Sequence, residues 1–166
     1  SVMESMVEID HTKLNNLHKI QEHEKFLIKL LTDSKSFIRK AIINHYVPII
    51  NQYVNQYLDA VDSPNRFNIN DDLTIEIIYM GRKIGIGSVS TGEKIRLSFC
   101  ISMAFRNFLN MMGHDCNVLF IDEIFDTGMD LSGLHRIMEI LKKLNKSIFV
   151  VSHKDEIMGE FDVVLT

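Results

Sequence analysis

The sequence predicts an α/β fold, a parallel sheet with flanking helices entered through a long helical arm. Three observations predict it. Apolar residues over the first third recur at three- and four-residue spacing. A short stretch then alternates apolar and polar residues around a glycine. The last half alternates short apolar strands with helical segments, the order produced by parallel strands joined through helical crossovers.

Residues 1 to about 61 read as helical throughout. Leu17, Ile20, Leu27 and Leu31 keep the spacing of a coiled-coil seam, with Glu24 in one seam position and Asp10 and Lys13 weakening it upstream. From Ile38 the stripe broadens through Ile42, Ile49, Ile50, Tyr53, Val54, Tyr57 and Val61 into a face suited to a globular core. Pro48 is expected to kink or restart the helix. "DSPN" (Asp62 to Asn65) reads as a turn, and "DLTIEIIYMGRKIGI" as a hairpin around Gly81-Arg82. A helix runs from Gly92 to about Met112, with Phe99, Met103, Phe108 and Met111 among its apolar residues, and Gly113 stops it. Then follow the strand "VLFI", a helix from about Leu131 to Leu144, the strand "SIFVVS", a short helix near Lys154 to Met158, and a strand "DVVL".

With 166 residues, 46% of them hydrophobic, the chain can bury one core of ordinary size. A net charge of -4 gives no polycationic footprint, so charge does not signal nucleic acid. Cys100 and Cys116 form no Cys-x-x-Cys pair and read as reduced thiols. No apolar run approaches the roughly 20 residues needed to span a bilayer, so no membrane partner is expected. The start, "SVMESMVEID", is no secretory signal.

Three stretches carry chemistry. In a parallel sheet, ligands gather at the C-terminal ends of the strands, and there Asp122 and Glu123 follow "VLFI". A buried strand running into two acids is how nucleotide hydrolases place one carboxylate near Mg²⁺ and another near the attacking water. Taken alone, the pair equally reads as a cap on the next turn. In "SVSTGEKIRLSF", Ser90, Thr91 and Gly92 precede a helix whose free N–H groups suit phosphate. Ser90 and Glu93 also have capping-box spacing, which needs no ligand. His153, in "VVSHKDE", lies just beyond the strand "SIFVVS" at the same sheet edge, where a lone histidine is ordinarily just solvated.

Together, Ser-x-Gly-Glu opening a helix, then apolar-Asp-Glu, then apolar-Ser-His resembles the C-terminal half of an ABC-type ATPase head. The counterparts are its signature motif, Walker B strand, following loop and switch histidine, over Ser88 to Thr166. The helical arm is similar to that of the SbcC and structural-maintenance-of-chromosomes (SMC) families. "STGEK" and "DEIFD" look most like the phage members of the SbcC-type DNA-repair ATPases, the large subunits of T-even-type recombination endonuclease complexes. The resemblance divides the chain into the base of a returning coiled-coil arm, residues 1–46, and the C-terminal lobe of the head, residues 47–166.

That resemblance implies a set of expectations. Two heads would sandwich ATP as a homodimer, with Ser90, Thr91, Gly92 and Glu93 of one facing the γ-phosphate held by the other. Asp122 would orient Mg²⁺, Glu123 would polarise the attacking water, His153 would sense the γ-phosphate, and Asp130 would report across the dimer. Lys94 and Arg96 read as a solvated helix face or a relay to the arm. The expected partners are an N-terminal lobe with the phosphate loop, a metallophosphoesterase-type nuclease docked between about Leu14 and Tyr46, and DNA. The location would be the cytoplasm, that of the host if the chain is a phage's. A structural DNA clamp of the SMC type, with a bridging subunit in place of a nuclease, is the alternative.

This sequence departs from the pattern in three ways. It has no Gly-x-x-x-x-Gly-Lys-Ser/Thr loop, "GRKIGIGS" being the nearest run, so the chain is expected to be a C-terminal fragment or half of a split protein, inactive alone. Thr91 replaces the signature's first glycine. "DEIFDTGMD" is one residue longer than the family's common spacing.

Overall fold

The computed structural model describes residues 11–33, 35–124 and 128–164. The chain divides into two compact units, Ser1–His45 and Tyr46–Thr166. In the first, α1 (His11–Thr32) carries the seam, and Leu17, Ile20, Leu27 and Leu31 are all exposed. The helix is not continuous to residue 61. Asp33 interrupts it, its carboxylate accepting the Lys35 N–H at 2.9 Å and its carbonyl the Ser36 N–H, a local turn that competes with the helical ladder. The expected helix over residues 1–10 lies outside the described residues.

The second helix, α2 (Phe37–Ala60), runs through Pro48 without restarting. Its buried stripe is Val47, Ile50, Val54 and Leu58, continued by Val61. Ile42, expected on that face, is exposed. Beside α2 lies an antiparallel sheet in the order β1 (Asn65–Ile69), β2 (Ile75–Tyr79), β3 (Arg82–Ile84). The β2–β3 hairpin turns on Met80-Gly81, both at positive φ (47° and 77°), one residue earlier than expected. Strand β1 is absent from the sequence reading. Two side chains of α2 hold its outer edge: Asn55 accepts the Phe67 N–H (3.0 Å) and donates to the Phe67 carbonyl (2.7 Å). Asn51 does the same for Ile69, at 2.8 and 2.9 Å. The match is geometric, because four helical residues rise about 6 Å and two strand residues about 6.6 Å.

After a 3₁₀ turn at Ile86–Ser88, α3 (Thr91–Met111) buries Leu97, Phe99, Cys100, Met103 and Ala104. Burial pushes the Cys100 thiol up to about 12, which makes it inert. Strand β4 (Val118–Asp122), α4 (Leu131–Lys143) and β5 (Ser147–Val151) form the expected parallel unit, with Val118 opposite Ser147 and Asp122 opposite Val151. A 3₁₀ helix, Asp155–Glu160, follows. The expected strand "DVVL" does not form over Asp162–Val164, which pair with no strand among the described residues, and Leu165 lies outside them.

Leu119, Ile121, Ile148 and Val150 join one core with α3 and α4, whose Leu134, Ile137 and Leu141 are nearly inaccessible. Each such side chain contributes about 1.5–3 kcal/mol on burial. The strand was expected to be buried throughout, yet the opposite face of this sheet is open. Val118, Phe120, Phe149 and Val151 are exposed there, Phe120 to 75%, with the two phenyl rings stacked at 5.0 Å. Apolar side chains on both faces are the pattern of a sheet covered on both sides, but α3 and α4 cover one. No described helix is long and apolar enough to cross a membrane.

Candidate functional site

Pairing of β4 with β5 brings the motif ends to one edge. The Glu123 N–H donates to the Val151 carbonyl at 2.9 Å, extending the ladder by one rung. Glu123 itself has φ +50°, a left-handed conformation costing a non-glycine residue about 1–2 kcal/mol. The turn at Glu123 leaves its carboxylate 3.5 Å from His153 Nε2, and both side chains are exposed. Asp122, the last residue of β4, is exposed beside them. Lys154 is anchored at its N–H by the Ser152 hydroxyl (3.1 Å), and its ammonium donates to the Met129 carbonyl (3.3 Å).

The turn ahead of α3 meets the loop after β4. Ser90 is the N-cap of α3 in a full capping box: its Oγ accepts the Glu93 N–H at 3.3 Å, and the Glu93 carboxylate accepts from the Ser90 N–H and hydroxyl at 3.4 and 3.2 Å. The cap therefore exists without any ligand, and Ser90 remains exposed at the helix's positive end. Gly92 lies directly under the Gly128 carbonyl, so close that a Cβ on Gly92 could not be accommodated. Thr91, the departure from the signature, packs its methyl group toward Gly128. Met129 is buried and Asp130 stands as the N-cap residue of α4. The tract's Phe125, Asp126 and Thr127 lie outside the described residues.

Sequence reasoning mistook Arg96. Its side chain is only 17% exposed and ion-pairs with Asp130, so the solvated helix face does not hold for it. Spacing alone could not reveal this, because the space it fills is made by a glycine on another helix. Among the described residues no three His, Cys, Asp or Glu side chains cluster as a metal site. Mg²⁺ does not require one, since it is commonly held by one or two carboxylates, water and substrate phosphates, and Asp122 fits as that carboxylate.

The fold and the placement of the motifs define the C-terminal lobe of an ABC-type ATPase head. Among solved structures, a chain from work on ATP-driven dimerization and DNA-stimulated activation of SMC ATPases superposes with a TM-score of 0.61 at 16% identity, covering 74% of this chain and 78% of that one. No protein-family model matches. Exonuclease subunit 2 of Enterobacteria phage T4 is 29% identical over 163 residues, covering 96% of this chain and 29% of the relative. Its namesake in Escherichia phage RB69 is 32% identical over 137 residues, covering 80% and 24%. The DNA double-strand break repair Rad50 ATPase of Thermoplasma volcanium is 27% identical over 178 residues, covering 94% and 19%. The chain thus spans less than a third of the length of these relatives. It belongs with the SbcC-type, SMC-like ATPases, and the expected kinship with their phage members is borne out.

Proposed function

We propose that this chain is the C-terminal half of an ATP-hydrolysing head in a complex that processes DNA double-strand breaks for recombination, and that ATP-driven pairing of two heads regulates a partner nuclease. The observation that carries the reading is the single edge at which β4 and β5 end. Glu123 and His153 approach to 3.5 Å there, with Asp122 beside them and the Ser90–Gly92 turn packed on the same loop.

The chain's own groups divide the work. Glu123, exposed and turned out of the strand, polarises the attacking water as a general base. His153 bonds the γ-phosphate from the neighbouring strand end. Ser90 and the first N–H groups of α3 face the γ-phosphate held by the other head. Asp122 would hold Mg²⁺ through water, and the ion when bound neutralises charge developing on the phosphate oxygens. Asp130 reports across the pair.

The bare face of β4–β5 supports an N-terminal lobe that carries the phosphate loop and covers Phe120 and Phe149. The exposed apolar residues of α1 support a second helix against the seam Leu17–Leu31, with the span from about Leu14 to Tyr46 the surface for a metallophosphoesterase-type nuclease. The working place would be the cytoplasm in which the DNA lies.

The test is reconstitution. This chain alone should bind ATP very weakly and hydrolyse none, and adding the phosphate-loop lobe, fused or in trans, should give Mg²⁺-dependent turnover. Robust ATPase from the 166 residues alone, or none after the lobe is added, would overturn the reading.

A further inference from the structure

Arg96 is tied into the site from beneath. Its Nη2 donates to the Asp130 carboxylate, while its Nε is buried and finds no hydrogen-bond partner among the described residues. The guanidinium lies on the first turn of α4, where a Cβ on Gly133 would stand 2.5–2.7 Å from Nε, Nη2 and Cζ. Only glycine leaves that room. Asp130 occupies the N-cap position with extended backbone; its carboxylate is engaged by Arg96 and is aided by the Gly133 N–H in the first turn of α4, without the geometry of a full side-chain cap. Partial desolvation acts to raise the Asp130 carboxyl, and the Arg96 charge and hydrogen bond hold it below the usual range nonetheless.

The segment Gly128–Asp130 is thereby held from three directions. The Gly92 turn packs on Gly128, Lys154 takes the Met129 carbonyl, and Arg96 takes the Asp130 side chain. Two of those holds come from α3 and one from the segment after β5. A half-exposed ion pair is a weak source of stability, and a guanidinium with one N–H unsatisfied is weaker still. Its position is better explained by what it orients.

We propose that Arg96 is a positioning residue for ATP hydrolysis, holding the Asp130 carboxylate so that the turn at Ser90–Gly92 and the segment Gly128–Asp130 move as one piece when heads pair. This rests on the ATPase reading above. It extends it by making the reach of Asp130 toward the opposite head depend on a side chain of its own signature helix.

The test uses the chain combined with its phosphate-loop lobe, in four variants: Arg96→Met, Asp130→Asn, the double variant and Arg96→Lys. Arg96→Met keeps the side chain's length and should lower kcat on the order of 10- to 100-fold through misplacement. ATP affinity of the unpaired head, set by its own phosphate loop, should stay within about twofold. Because the two residues act as a unit, the double variant should be no slower than the slower single, and Arg96→Lys should recover part of the lost kcat. A multiplicative double variant, or wild-type kcat in Arg96→Met, would overturn the proposal. So would a loss of thermal stability with kcat per folded head unchanged. If Arg96→Met does not fold, Gly133→Ala displaces the guanidinium while keeping both charges, and the same fall in kcat is expected; normal kcat there would overturn it. Glu123→Gln run in parallel separates the levels: normal hydrolysis in that variant would strike the ATPase reading itself, whereas its loss beside a full-speed Arg96→Met would strike only the positioning role.

Discussion

Replacing Asn55 by alanine removes the side chain that serves Phe67 in place of a neighbouring strand. The Phe67 N–H and carbonyl would both lose their partner, on a residue whose exposure is 3%. An unsatisfied buried polar group costs about 1–3 kcal/mol, and because Asn55 itself is only half-buried, water can serve one of the two. We therefore expect a loss of about 2–3 kcal/mol, a large share of the roughly 5–15 kcal/mol that holds a domain folded. Urea unfolding followed by far-UV circular dichroism measures it; with a slope near 2 kcal/mol/M, the midpoint should fall by about 1 M with the slope unchanged. Asn55→Asp sharpens the test. It keeps an acceptor for the Phe67 N–H but turns a carboxylate toward the Phe67 and Asn51 carbonyls, which Asn55 now serves as donor at 2.7 and 2.8 Å. Protonation restores a donor, so the folded state should raise this carboxyl's pKa. Stability from that proton is then present below the unfolded value and lost as pH rises through the folded one. Asn55→Asp should accordingly be worse than alanine at pH 7 and recover toward pH 4. An Asn55→Ala loss under about 0.5 kcal/mol would refute the idea that these amides hold the strand.

In a complete head, Glu123→Gln should retain ATP and slow hydrolysis by at least about 100-fold, because the amide keeps the shape but is no base; light scattering should then show trapped head pairs. Ser90→Ala should cost about 1 kcal/mol as a lost cap, read by thermal melting. Ser90→Arg should abolish ATP-dependent pairing while each head still binds nucleotide, and unchanged ATPase in that variant would leave only the cap. At the far end of the sheet, the Lys146 ammonium, 2.7 Å from both Asp115 oxygens, holds that carboxyl below the usual range. Its stabilising effect is present above the unfolded carboxyl value and lost as pH falls through the folded one. Lys146→Met should raise the Asp115 pKa in an NMR titration, and an unmoved titration would count against the pair.

The parallel unit was legible because its apolar runs are short, bounded and separated by a helix-length segment. The edge holding Asp122, Glu123 and His153 follows from that topology. Strand β1 was not legible. "NRFNI" has two asparagines and an arginine in five residues, poor material for a strand. It is extended because β2 pairs one edge and the α2 amides pair the other, and neither partner is visible locally. "DVVL" failed in the opposite way: its composition suits a strand, but Asp162–Val164 have no described strand to pair with. Arg96 was misjudged for a third reason. A cation four residues past a glycine-containing turn reads as surface, and only the absence of a side chain at Gly133 makes room for it underneath.

The open face of β4 and β5 also sets a matter of timing. Val118, Phe120, Phe149 and Val151 present an apolar strip that is open to another copy of itself as well as to the phosphate-loop lobe proposed to cover it. Self-association is second order in protein, whereas covering by a tethered segment is first order and independent of dilution. On the proposed pairing with a phosphate-loop lobe, connection would decide the race: a linked lobe would close at any concentration, and a separate one would close correctly only when it is in excess or this chain is kept scarce.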